Sequence, residues 1–363
     1  MGKRIYFTVT NDLSYDQRMH RICGSLANAG YEVTLVGRKL PASLPLDKKP
    51  FRQLRLQCWF KKGKWFYAEY NIRLFFYLLF SRMDGICAID LDTILPCLYV
   101  SKIKNIIRIY DAHELFTELK EVVSRPSIHN RWLRIEKKAV AQFKHGYTVS
   151  QGIAEIFKQR YGVEYACIRN MPVLKDIPAS AIQEKFLLYQ GAVNEARAFE
   201  WLIPAMKKIK TELVVCGTGN FMEQLRSLIK EHQVENKVYL RGQLFPKQLW
   251  EVSCRGYVGI SIAENIGLNQ YLALPNKFFD YIQAGLPQVT MDFPEYKRIN
   301  DQYDIALLIP AADPEMIASA VNKLLDDTVL YERLRQNCLK ARLELNWQKE
   351  ETRLLAYYSN IFN

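Results

Sequence analysis

The stretch Leu274-Pro275-Asn276-Lys277-Phe278-Phe279-Asp280-Tyr281-Ile282-Gln283-Ala284-Gly285-Leu286-Pro287 decides the fold class. Pro275 suits the first turn of a helix, where its missing N–H costs nothing and its fixed φ is already helical. Gly285-Leu286-Pro287 ends that helix, and the apolar Gln288 to Met291 follows as a strand. Val258 to Ile262 is another strand-like run just upstream. A strand, a helix and a strand in succession imply a right-handed crossover and a parallel sheet covered on both faces.

The same alternation extends outward in both directions. Arg4 to Val9 reads as a strand, Ser14 to Ala29 as a helix stopped by Gly30, and Glu32 to Val36 as the next strand. Further strands are expected at Ile86 to Ile89, Ile106 to Tyr110, Gly146 to Val149, Phe186 to Tyr189, Leu213 to Cys216, Val238 to Leu240 and Ile305 to Leu308. The pattern breaks at the proline-punctuated segment 173–184 and then restarts. The expected organisation is a Rossmann-like domain over 1–172, a linker over 173–184 and a second Rossmann-like domain over 185–343. A helix in 344–363 is expected to cross back to the first domain. The fold class is thus α/β, two doubly wound parallel-sheet domains facing a cleft, with ligands at the carboxyl ends of the strands.

Composition fits this. The chain has 363 residues, 49% hydrophobic and 24% charged, a globular balance. No signal-peptide plan opens it, and the longest apolar run, Leu74 to Phe80, is far short of the roughly 20 residues a spanning helix needs. The eight cysteines form no Cys-x-x-Cys pair and read as small buried hydrophobes of a reducing, cytoplasmic compartment. The five histidines give no zinc spacing, so no metal and no cofactor is expected.

The net charge of +12 is uneven. Residues 1–172 hold 28 Lys and Arg against 15 Asp and Glu, and the remainder is nearly neutral. Residues 38–82 alone hold 11 basic against 2 acidic residues, interleaved with Trp59, Phe60, Trp65, Phe66, Tyr67, Tyr70, Phe75, Phe76, Tyr77 and Phe80. Cations with aromatics suit an anionic membrane surface, where rings settle at headgroup depth. The alternatives are a core helix with a solvated lysine face and, less favoured, nucleic acid.

Four stretches at expected strand ends carry chemistry. Asp111-Ala112-His113-Glu114 sets a histidine between carboxylates. Gly191 opens the second domain's first loop, and Arg197 near the next helix start can donate to phosphate oxygens, although a solvated loop arginine reads equally well. Gly217-Thr218-Gly219 is a tight turn but no dinucleotide fingerprint, since Met222 stands where a third Gly or Ala would, and this weighs against a dehydrogenase. In the quoted stretch the amides of residues 276–278, starting at Asn276, together with Lys277 offer a diphosphate site, and Asp280 suits ribose hydroxyls. Asp16 and Arg18 in the first loop are acceptor-side candidates beside Asp111 and Glu114, with helix-terminus roles as the alternative. Asp90-Leu91-Asp92 reads as helix capping before Thr93 to Val100 rather than as a metal motif.

At these residues the sequence resembles the retaining glycosyltransferases of GT-B fold, family 4. Asp111-Ala112-His113-Glu114, Thr148-Val149-Ser150, Ile168 to Pro172 and Tyr189-Gln190-Gly191 recur there in this order. The resemblance implies that His113 lines the donor sugar and acceptor, Arg197 stabilises the leaving diphosphate, Glu264 holds sugar hydroxyls and Asp280 holds the ribose. Gly217 to Gly219 and the loop with Leu244 and Phe245 would border the base. There are two departures from the family pattern. Its two glutamates eight apart are replaced here by Glu264 and Asp280 with an insertion between them and Leu272 at the intermediate position, and Ala192 stands where a basic residue is usual.

The expected function is metal-independent, retaining sugar transfer from a UDP or GDP sugar to a glycan or lipid-linked acceptor in bacterial surface polysaccharide synthesis. The protein is expected to be cytoplasmic or peripheral at the inner membrane face. A nucleotide-sugar epimerase or hydrolase would turn over donor without acceptor. A non-catalytic basic protein would bind nucleic acid or membrane without binding nucleotide sugar.

Overall fold

The computed structural model describes residues 2–14, 16–41, 43–178 and 183–362. Tyr15 of the first loop and residues 179–182 of the expected linker lie outside the described residues. The chain divides into two units, residues 1–170 with 350–363, and residues 171–349.

The first unit is built on a parallel sheet of β1 (Arg4–Thr8), β2 (Glu32–Lys39), β3 (Arg52–Gln57), β4 (Gly85–Ile89), β5 (Ile107–Ala112), β6 (His145–Thr148) and β7 (Ala166–Cys167). Their spatial order is β3-β2-β1-β4-β5-β6-β7, so the winding reverses between β1 and β4. In doubly wound sheets that reversal opens a crevice at the carboxyl edge. The central strands are buried on both faces, as Ile5, Phe7, Ile86, Cys87, Ile109 and Tyr147 show.

The helix Gly63–Phe80 shows why residues 38–82 supported two readings. Phe66, Tyr70, Leu74 and Leu78, four residues apart, are buried as one stripe. The Tyr70 hydroxyl donates to the Val9 carbonyl at 2.5 Å. Trp65, Ile72, Phe76 and Phe80 stay exposed, Trp65 at 61% and Phe80 at 82%. The helix therefore has a core face and a second apolar face in solvent.

The helix Trp347–Phe362 closes the first unit. Tyr358 is buried with its hydroxyl 3.1 Å from that of Tyr147, and the Glu350 carboxylate accepts the Arg169 amide at 2.7 Å. The Phe362 ring lies so close to Gly85 that a Cβ there would come within 2.4 Å of it.

The second unit carries β8 (Phe186–Gln190), β9 (Glu212–Cys216), β10 (Val238–Gly242), β11 (Val258–Ser261), β12 (Gln288–Met291) and β13 (Ala306–Ile309), all parallel. The order β10-β9-β8-β11-β12-β13 reverses between β8 and β11. Pro275 is the N-cap of the helix Asn276–Ala284 rather than a first-turn residue, and its carbonyl accepts the Phe278 amide at 3.0 Å. Gly285 ends the helix at φ +71, a conformation that favours glycine. The insertion after Glu264 folds as a short helix, Leu268–Leu272, whose Leu272 is buried.

Candidate active site

Each unit gathers its own set of candidate residues at the carboxyl edge of its sheet. In the first unit the set is an alternating row of charges. Asp111 lies inside β5, not in the loop beyond it, and is fully buried. Arg18, on the helix Gln17–Asn28, is buried with it; one guanidinium nitrogen meets the Asp111 Oδ1 at 3.0 Å and the other donates to the Ile168 carbonyl at 3.1 Å. His113 Nε2 stands 3.0 Å from the other Asp111 oxygen. The His113 amide donates to Asp90 Oδ1 at 2.8 Å, and its Nδ1 lies 3.7 Å from Asp90 Oδ2.

Burial opposes charge on His113, but Asp111 and Asp90 outweigh it and lift the imidazole to about 9. Burial raises Asp90 to about 7, with His113 pulling the other way. Burial also acts against the Asp111 carboxylate, yet Arg18 and His113 hold it below the usual range. The result is a histidine kept cationic at neutral pH, with one-fifth of its side chain still accessible.

Asp90 and Asp92 do not cap the helix Ile94–Lys104 as the sequence suggested. Asp90 serves His113, and Asp92 accepts from Thr10 Oγ1 at 2.5 Å. Asp90 is held at φ +53, an unusual conformation for a non-glycine residue that aims its carboxylate across to β5. Asp16 caps the helix Gln17–Asn28 by accepting the Met19 amide at 3.0 Å and takes a 2.5 Å bond from Asn11. Glu114 is exposed.

A titration is expected from this arrangement. In an NMR pH series of the five histidines, the His113 ring should titrate near 9, while burial pulls His20 and His145 below 6.5. Asp90→Asn should move the His113 midpoint down. A His113 midpoint at or below 6.5 in the intact protein would refute the charge row.

In the second unit, two loops need glycine to approach each other. A Cβ at Gly217 would lie 1.8 Å from the Gly191 carbonyl oxygen, and one at Gly219 would lie 2.2 Å from that of Val193. The Val193 amide donates to the Thr218 carbonyl at 3.0 Å, binding the loop after β8 to the loop after β9. Residues 196 and 198 both adopt positive φ, which fixes the path of the chain through Arg197. The Glu264 amide, beyond β11, donates to the Ala196 carbonyl at 3.2 Å, so the Arg197 and Glu264 loops meet.

Lys277, in the first turn of Asn276–Ala284, is only 8% exposed. Its Nζ has no hydrogen-bond partner among the described residues and sits 3.6 Å from the centre of the Tyr189 ring. Burial, then Arg197, holds its ammonium well below the usual lysine range. No side chain caps this helix and no acid lies in its first turn, so its dipole end adds to the positive field. Asp280, one turn on, accepts from Gln190 Nε2 at 2.9 Å, and the Gln190 oxygen accepts from Ser253 at 2.7 Å. The buried Tyr281 hydroxyl donates to the Leu188 carbonyl at 2.9 Å and accepts the Gln190 amide at 3.1 Å. These bonds pin the helix to β8. Leu244 is half-buried and Phe245 exposed after β10, with the Phe245 amide bonded to the Gln248 side chain at 3.2 Å.

Residues 184–327, all within this unit, match the family model Glycosyl transferases group 1. The match spans 144 of the 363 residues. Over 71 residues the chain is 38% identical to N-acetylgalactosamine-N,N'-diacetylbacillosaminyl-diphospho-undecaprenol 4-alpha-N-acetylgalactosaminyltransferase of Campylobacter jejuni. That match covers 19% of this chain and 19% of that relative, so it spans under a fifth of the relative's length. Among solved structures, sucrose-phosphate synthase from Thermosynechococcus elongatus superposes with a TM-score of 0.82 at 16% identity over 99% of both chains. The Anabaena protein Alr3699/HepE in complex with UDP superposes at 0.74 and 12% identity, over 99% of this chain and 100% of that one. At such identities the likeness is one of fold, and the two parallel sheets are those of the GT-B class.

Asp90 and Gln190 escaped the sequence reading. Asp90 was hidden inside an Asp-Leu-Asp string that suits helix starts. Gln190 stood in the Tyr189-Gln190-Gly191 string with no role of its own; its place between Asp280 and Ser253 gives it one.

Proposed function

We propose that this protein is a retaining, metal-independent glycosyltransferase that moves a sugar from a nucleoside diphosphate onto a lipid-linked glycan during surface polysaccharide synthesis. The observation that carries the reading is Lys277, buried beside Arg197 at an uncapped helix start, its Nζ without a hydrogen-bond partner among the described residues and its charged form disfavoured until an anion arrives. Such a place favours an anion of high charge. Asp280, oriented by Gln190 one turn further along, suits the ribose hydroxyls of the same nucleotide.

In this reading the bond from the sugar anomeric carbon to the diphosphate oxygen breaks while Arg197 and Lys277 take up the growing negative charge. The acceptor hydroxyl forms its bond from the face the diphosphate leaves, and its proton passes to a phosphate oxygen. Glu264 and the His113 cation serve the hydroxyls of sugar and acceptor. The Campylobacter relative's name specifies a diphospho-undecaprenol acceptor, and the HepE structure holds UDP; both support the substrate classes chosen here. Exposed aromatics and lysines around 59–80 support a peripheral place at an anionic membrane. Among the described residues no helix is long and apolar enough to cross a membrane.

The test is a thermal-shift screen against UDP, GDP, ADP, CDP and their sugar conjugates, with and without EDTA. One diphosphate should raise the melting temperature with EDTA present, as a ligand of the native state does. Asp280→Ala should weaken that ligand about tenfold, the value of one hydrogen bond to a charged group. No shift with any diphosphate would sink the reading.

A further inference from the structure

A second cluster of cations lies in the first unit, apart from the row that includes His113. β2 and β3 run in register to their carboxyl ends, where Lys39 pairs with Gln57. There a cavity of about 230 Å³ opens, lined by Arg38, Lys39, Lys61, Cys58, Phe60 and Phe66 among others. Three cations converge on it, and no residue of its lining is acidic.

Packing holds the cavity in shape. The Arg38 guanidinium lies 4.2 Å from the centre of the Phe66 ring and donates to the Lys61 carbonyl at 3.3 Å. Its Nε is buried with no hydrogen-bond partner among the described residues. The loop bearing Lys61 is pinned from behind. Glu69 accepts the amides of Trp59 at 3.0 Å and Phe60 at 2.9 Å and is itself held by Arg73 at 2.8 Å. The helix Gly63–Phe80 starts just past Lys61, with no side-chain cap and no acid in its first turn. A half-buried guanidinium with an unpartnered Nε, two exposed lysines and a bare helix start together make the cavity attractive to an anion.

The rim indicates which anion. Trp59, Phe60 and Trp65 are exposed, with Phe60 and Trp65 stacked at 6.2 Å, and Ile72, Phe76 and Phe80 continue the apolar surface along the helix. Such rings settle at the headgroup level of a bilayer, which would leave the cavity at phosphate depth. A free phosphate would have no use for the rim.

We propose that this cavity binds the diphosphate headgroup of an isoprenoid lipid, holding the lipid end of the acceptor. Arg38 and Lys39 donate to its oxygens, Lys61 adds charge, and the aromatic rim lies along the membrane that holds the tail. The proposal rests on the lipid-linked acceptor suggested above and deepens it.

The test uses the intact protein with phosphatidylcholine vesicles carrying either a polyisoprenyl diphosphate or phosphatidylglycerol, matched for surface charge. Binding to the diphosphate vesicles should be about tenfold tighter, as one charge-assisted contact gives. Arg38→Gln with Lys39→Gln should abolish that preference. Lys62→Gln with Lys64→Gln, of equal charge change outside the cavity, should lower binding to both vesicles and keep the preference. Equal binding of the intact protein to the two vesicle types would overturn the proposal, as would a preference that survives loss of Arg38 and Lys39. Displacement of the protein from the diphosphate vesicles by inorganic pyrophosphate at lipid-like concentrations would overturn the lipid assignment. The nucleotide-induced melting shift is a property of the second unit and should be unchanged in both variants, showing that they fold. If that shift is absent while the vesicle preference stands, the glycosyltransferase reading fails and the lipid site survives.

Discussion

Arg197→Ala is expected to lower turnover by about 100- to 1,000-fold, the usual cost of removing one preorganised donor from a site of developing charge. The loop geometry gives the reason. Positive φ at residues 196 and 198 and the bond from Glu264 to the Ala196 carbonyl fix the backbone on either side of Arg197. The backbone that carries Arg197 is therefore set before substrate arrives. Lys277 remains in the variant, so nucleotide affinity should fall much less than turnover, within about tenfold. Arg197→Lys should recover only part of the rate, since an ammonium lacks the two-pronged geometry for phosphate oxygens. Steady-state kinetics with the donor found by the thermal screen decides the matter; turnover within a factor of a few of the parent would remove Arg197 from the chemistry.

The second large effect concerns stability. Asp111→Ala should cost the first unit about 3–5 kcal/mol, because it leaves the Arg18 guanidinium buried without its counter-charge. The loss should appear in the hydrogen exchange of β5, which reports this unit without assuming that both units melt together. Replacing both partners with leucine should recover much of it, since the cost lies in the stranded charge. The pair also has a pH signature. Asp111 is held below its ordinary value, so its contribution is present above about 3.9, the unfolded value, and is lost as pH falls through the folded one. A single-variant cost under about 1 kcal/mol would mean that Arg18 finds another partner.

The sequence made the fold legible because parallel strands buried on both faces are written as short apolar runs, and the helices between them carry clear stops such as Gly30 and Gly285. It hid β3, where Arg52, Arg55 and Gln57 alternate with leucines on a half-buried edge, and β7, which is two residues long. The second unit's candidate residues could be picked out because glycine, proline and lysine stood at strand and helix ends. In the first unit, partnership across the sheet mattered more than position. Arg18 looked like an accessible loop group and is buried; Asp90 looked like a cap and supports a histidine. A one-dimensional pattern shows where a side chain attaches, not which distant carboxylate or cation it will meet.

The helix Trp347–Phe362 has a consequence for biosynthesis. From Glu350 onward it belongs with residues 1–170, so the first unit is discontinuous in the chain. Its strands leave the ribosome early, but Tyr358 and Phe362, which fill the places beside Tyr147 and Gly85, come only after the whole second unit. At ordinary elongation rates that interval is on the order of ten to thirty seconds. Throughout it the nascent first unit carries an open apolar groove, a natural client for a chaperone. A fragment ending at residue 170 would keep that groove for good, so cutting the protein at its apparent boundary should yield an insoluble first half.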